Sequence, residues 1–118
     1  METAEMITHL LIGPLLLVLS FIFLYFPPKT INPLYGHRTT LSMKNQDTWN
    51  EANRRSSLMM ILVSAATCIL QLFGIVFHYD SGNTILTATI FLVVGLVVGI
   101  LVVEKQLRSV FDKEGNRK

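Results

Sequence analysis

The sequence predicts an all-α integral membrane protein: a bundle of three transmembrane helices, N-out and C-in, whose cytoplasmic linker contains a short helix before the second span. Three observations carry this expectation. First, hydrophobic residues make up 51% of the 118 residues and charged ones only 15%, with a mean hydropathy of +0.49, leaving too little polar surface to coat a soluble domain of this length. Second, the apolar residues come in blocks, Met6 to Phe26, Ser56 to Phe77 and Ile85 to Val103; the first holds His9 as its one ionisable group and the others carry no charge. At about 1.5 Å of rise per helical residue each block is roughly 30 Å long, the hydrocarbon thickness of a bilayer. Third, the ten bases segregate into the first linker and the tail, the start and second linker holding only Glu2, Glu5 and Asp80 as charges. Lys and Arg near span ends are held in the cytoplasm during insertion, which sets the orientation.

These blocks define one membrane domain over residues 1–118, with spans at about 6–26, 56–77 and 85–103, a cytoplasmic motif at 31–55 and a cytoplasmic tail at 104–118. The first block reads as a retained span, because METAEM offers acids where a signal peptide has bases. Pro27 and Pro28 stop this helix, Pro33 keeps Ile31 to Leu34 extended, and Gly36 permits a turn. Asn45 suits an N-cap, with Asp47 in the first turn and Glu51 paired to Arg55. A cytoplasmic helix from about Asn45 should therefore run into the second span or bend near Ser56 and Ser57. In the tail, Leu107, Val110 and Phe111 share one helical side, which suggests first turns lying along the membrane interface.

Polar residues inside the spans are expected to hold the bundle together. Gln71 is the costliest to bury and should hydrogen-bond across it, a substrate path being the other reading. Gly95 and Gly99 stand at GxxxG spacing, which lets backbones approach within this chain or between protomers of a homo-oligomer. His9 and His78 fall near the outer surface as interfacial anchors, since two imidazoles without a further ligand make a poor metal site. The lone Cys68 excludes disulfides and thiolate clusters. No cofactor or metal is expected. The net charge of +2 averages an acidic outer rim and a basic inner one, so membrane lipids are expected partners and direct nucleic-acid binding is not.

The passage YGHRTTLSMKNQDTWNEANRR is richer in amides, bases and aromatic surface than a solubilising linker requires. Its residues Asn32, Tyr35, Gly36, His37, Arg38 and Thr39, followed by Ser42, Asn45, Trp49 and Asn53, resemble the signature of the SdpI family of bacterial membrane proteins, in a minimal three-helix form. That resemblance implies a multi-pass protein of the cell inner membrane that confers immunity to a membrane-active toxin peptide, with capture of a cytoplasmic repressor-like protein as a further expectation. The motif itself admits two roles. In one it binds a partner, with Arg38 offering a bidentate fork and Trp49 an interfacial anchor. In the other, Arg38, Asn45, Trp49 and Asn53 clamp the linker to the helix ends, Arg38 hydrogen-bonding to Asn45 or Asn53. A small membrane enzyme is the alternative function, with His37 or Glu51 as acid or base beside Arg38, Asn45 and Asn53.

Overall fold

The computed structural model describes residues 2–118; Met1, the first residue of the expected domain, lies outside them. It is all-helical, with α1 Thr3–Leu11, α2 Gly13–Tyr25, α3 Gln46–Val76 and α4 Ser81–Val110. Joined end to end, α1 and α2 form one apolar rod, Thr3–Tyr25, and with α3 and α4 they give three helices long and apolar enough to cross a membrane. The molecule measures 52 × 23 × 19 Å.

The first rod is interrupted at Ile12 (φ −93°, ψ −97°). Its cause is Pro14, which has no N–H and whose ring crowds the carbonyl of the preceding turn. The break frees backbone groups inside an apolar layer, where they must find partners. Gln71 of α3 supplies them: its Oε1 accepts from the Gly13 N–H at 3.1 Å, and its Nε2 donates to the His9 carbonyl at 2.9 Å. His9 is itself buried, with Nδ1 3.2 Å from the same amide nitrogen. It is therefore part of the bundle, which corrects its expected role as an interfacial anchor.

The polar and small residues face inward and the large apolar ones outward. Ser20, Ser64 and Thr67 are fully buried, each donating to the carbonyl one turn back. Leu62, Ile69, Leu101 and Val93 are more than half exposed, the surface a lipid solvent selects and water would not. Between α3 and α4 the glycines set the spacing. A Cβ on Gly95 would lie 2.7 Å from Val63 Cγ1, and one on Gly99 2.7 Å from Met59 Cγ, so both glycines pack within this chain.

The layout of the linker and the tail bears on the site. The helix expected from about Asn45 is present and takes the first of its two expected courses: α3 runs unbroken from Gln46 through Ser56 and Ser57 to Val76, so no separate short helix stands before the second span. The tail packs differently from the expectation of turns lying along a membrane interface. Helix α4 continues to Val110, and Leu107 and Phe111 are buried with Ala52 and Val103 in a core on the N-terminal part of α3. Sequence periodicity shows that Leu107, Val110 and Phe111 share a side; it cannot show that a helix, rather than lipid, covers that side.

Candidate functional site

The linker is built from local turns that bring it back onto α3. Asn32 Oδ1 accepts from the N–H groups of Leu34 and Tyr35, both at 2.9 Å, closing a side-chain-mediated turn. Gly36 follows at φ +111°, a conformation that side chains other than glycine's rarely adopt. Its missing side chain lets the backbone approach α3, since a Cβ there would lie 2.7 Å from Asn53 Oδ1 and 3.1 Å from Trp49 Cη2.

Three polar residues then fasten the linker. Asn53 Oδ1 accepts from the His37 N–H at 2.7 Å while its Nδ2 donates to the Trp49 carbonyl at 2.9 Å. Trp49 is wholly buried and its Nε1 donates to the Pro28 carbonyl at 2.6 Å, tying the end of the first span to α3. Ser42 accepts from the Thr39 N–H at 2.8 Å and donates to the His37 carbonyl at 2.7 Å. Trp49 is thus a buried fastener, which agrees with the clamp role expected for it and corrects the other, that of an interfacial anchor.

Asn45 caps α3 through its Oδ1, which accepts from the Thr48 N–H at 2.9 Å, and its Nδ2 reaches the Gly115 carbonyl at 2.8 Å. Beyond it, Arg117 grips Asp47 with two hydrogen bonds of 2.8 Å and stacks 4.9 Å from the centre of the Phe111 ring. These bonds hold the Asp47 carboxyl below, and the Arg117 guanidinium above, the usual range. Glu51 binds Arg55 at 2.7 Å and Arg54 at 3.3 Å, with Arg117 at 3.6 Å. The hydrogen bond from Arg55 is the main reason its carboxyl, too, titrates lower than usual.

Glu104, in the C-terminal part of α4, belongs to the site although sequence reasoning missed it. Its Oε1 lies 2.9 Å from His37 Nε2 and also accepts from the Thr39 hydroxyl. The pair is largely enclosed, with side-chain exposures of 3% for His37 and 14% for Glu104. The available signal was its position as the first charge after an uncharged block. Nothing local pointed to a partner in the first linker.

Arg38 departs from expectation. It is exposed, donates to the Pro33 carbonyl, and bonds to neither Asn45 nor Asn53. The physical reason is that those amides are already occupied by backbone groups, the stronger claim when a turn is buried against a helix. With His37, Thr39 and Asn53, Arg38 lines one end of a cleft of about 460 Å³ between α2, α3 and α4, whose other walls include Phe23, Met60, Leu96 and Ile100. Tyr35 stays half exposed, its ring 6.2 Å from that of Phe23. Of the motif residues, then, most converge on one another, and only His37, Arg38, Thr39, Gly36 and Asn53 reach the cleft. Among the described residues no group of three His, Cys, Asp or Glu side chains is placed to hold a metal ion.

Comparison with known proteins places this geometry. The sequence profile of the SdpI/YfhL protein family matches residues 29–104, a stretch that begins at the linker and ends on Glu104. Protein YfhL of Bacillus subtilis (strain 168), described as uncharacterized, is 33% identical over 108 residues, covering 92% of this chain and 93% of that one. No solved structure matches the chain.

Proposed function

This chain belongs to the SdpI/YfhL protein family, and from that premise we infer that it is an immunity-type protein of the bacterial inner membrane. It acts by binding a toxin peptide or a cytoplasmic partner and performs no chemistry of its own. One observation carries the reading: the motif side chains are spent on holding the inner helix ends together, Asn53 on His37, Trp49 on Pro28 and Asn45 on Thr48 and Gly115. Such an arrangement makes a fixed surface, which recognition needs. Catalysis would need a reactive group with room for substrate.

The enzyme alternative keeps one observation in its favour, the His37–Glu104 pair on the cleft wall. Glu51 fits it poorly, since that carboxylate is held by Arg54 and Arg55. Expression in a sensitive bacterium separates the readings. Immunity predicts greater survival against an Sdp-like peptide, and His37→Gln protein that still accumulates should keep most of that protection. Unchanged survival against each such peptide tried would remove the immunity reading. Protection abolished by His37→Gln at wild-type abundance would favour chemistry at the pair.

A further inference from the structure

The inner cleft combines two chemistries. His37, Arg38, Thr39, Asn53 and Ser57 line its polar end, while Phe23, Met60, Leu96 and Ile100 line much of the rest. Along α3 it extends from Asn53 to Met60, about 10 Å at the helical rise. Ile100 is 49% exposed, so the apolar wall opens sideways toward the hydrocarbon.

Arg38 is the cleft residue with donors to spare. A guanidinium carries several N–H donors in a planar fork, and here the Pro33 carbonyl occupies one nitrogen. Arg54, Arg55 and Arg117 all share the carboxylates of Glu51 or Asp47, whereas no ion pair involves Arg38 among the described residues. Asn53, its amide neighbour in the cleft, has both ends committed. His37 and Thr39, at the same end, are turned onto Glu104, so the unspent donors there are those of Arg38, whose fork selects an anion with several acceptor oxygens.

We propose that this cleft binds an anionic phospholipid, its phosphate on Arg38 and one acyl chain along the apolar wall. A free phosphate would leave that wall unused. An extended peptide would bring backbone amides into a wall with no partners for them, at a cost of several kcal/mol for each unmet group in an apolar layer. An acyl chain brings none. The site is independent of the immunity reading, since it rests on the cleft and Arg38 alone.

Native mass spectrometry of the full chain, released from detergent with equal phosphatidylglycerol and phosphatidylcholine of identical acyl chains, tests the proposal. Both lipids carry a phosphate, but the choline ammonium beside it opposes the Arg38 charge, so wild-type protein should retain phosphatidylglycerol over phosphatidylcholine by about tenfold. Arg38→Gln should bring the ratio close to one, and Arg38→Lys should fall between, keeping the charge but losing the fork. Lys105→Gln removes the same charge from an exposed position off the cleft and should leave the ratio unchanged. Ile100→Trp, on the half-exposed wall, should lower retention of both lipids, and it reports on the site even if Arg38 variants fail to fold. Equal retention of both lipids by wild type overturns the proposal. So does a Lys105→Gln loss as large as that of Arg38→Gln, which means diffuse attraction, or displacement of the lipid by millimolar inorganic phosphate, which means a bare anion site.

Discussion

Trp49 shows how chemistry and address can be read separately from a sequence. Its membership of a polar motif between two spans was plain, and a tryptophan at such a boundary ordinarily sits among headgroups. Burial came instead from Gly36, which lets the linker lie against α3, and from a carbonyl of Pro28 that needed a donor. Trp49→Phe should therefore destabilise the protein by about 1–3 kcal/mol, because it leaves that carbonyl unmet under an otherwise similar ring. Unfolding by heat or denaturant in micelles measures this, and a variant as stable as wild type would mean that the indole N–H does not fasten the linker. The same reasoning explains Arg38. Its residue type and place on a turn were readable, while its partner depended on which acceptors the backbone had already taken.

The helices themselves were nearly all readable, because uncharged blocks of bilayer length leave few alternatives to transmembrane helix. Two departures came from competition that composition does not report. Helix α4 outruns its apolar block since Leu107 and Phe111 find cover on α3, and the first rod breaks although its composition is uniform. Pro14 was the visible signal for that break, and Gln71 the visible polar residue. What the sequence withheld was that Gln71 answers the break at Gly13, 58 residues away. Gln71→Leu should leave the Gly13 N–H without a partner in an apolar layer, while the His9 carbonyl keeps only the long bond from the Ile12 N–H, costing about 2 kcal/mol by the usual penalty for a buried unmet group. Unfolding in micelles and accumulation in the membrane are the two readouts. A variant of wild-type stability would show that the break satisfies itself, through a shifted turn or water.

Over the full 52 Å of its long axis the protein exceeds the roughly 30 Å of a hydrocarbon core, and the surplus includes the polar clamp at one end. With the bases gathered at that end, a reporter joined to Lys118 through a flexible spacer should read cytoplasmic and a tag ahead of Met1 external. The spacer matters because Arg117 is engaged with Asp47. An external reading for Lys118 would place the motif on the wrong side for a cytoplasmic partner and remove that branch of the proposed function. The ends of α3 and α4 differ in how they are joined. At one end they are linked by the short turn Phe77 to Asp80; at the other they and the adjoining linker and tail are linked through space, by His37–Glu104, Arg55–Gln106, Asn45–Gly115 and Asp47–Arg117. Covalent continuity across that turn is thus not what keeps the two helices in register. Severed there, the chain would fall into two self-complementary fragments: one carrying the first two rods and the linker, the other a single rod with its bases at one end. Each retains the surfaces that recognise the other, so the protein has the makings of a split pair that reassembles in the bilayer.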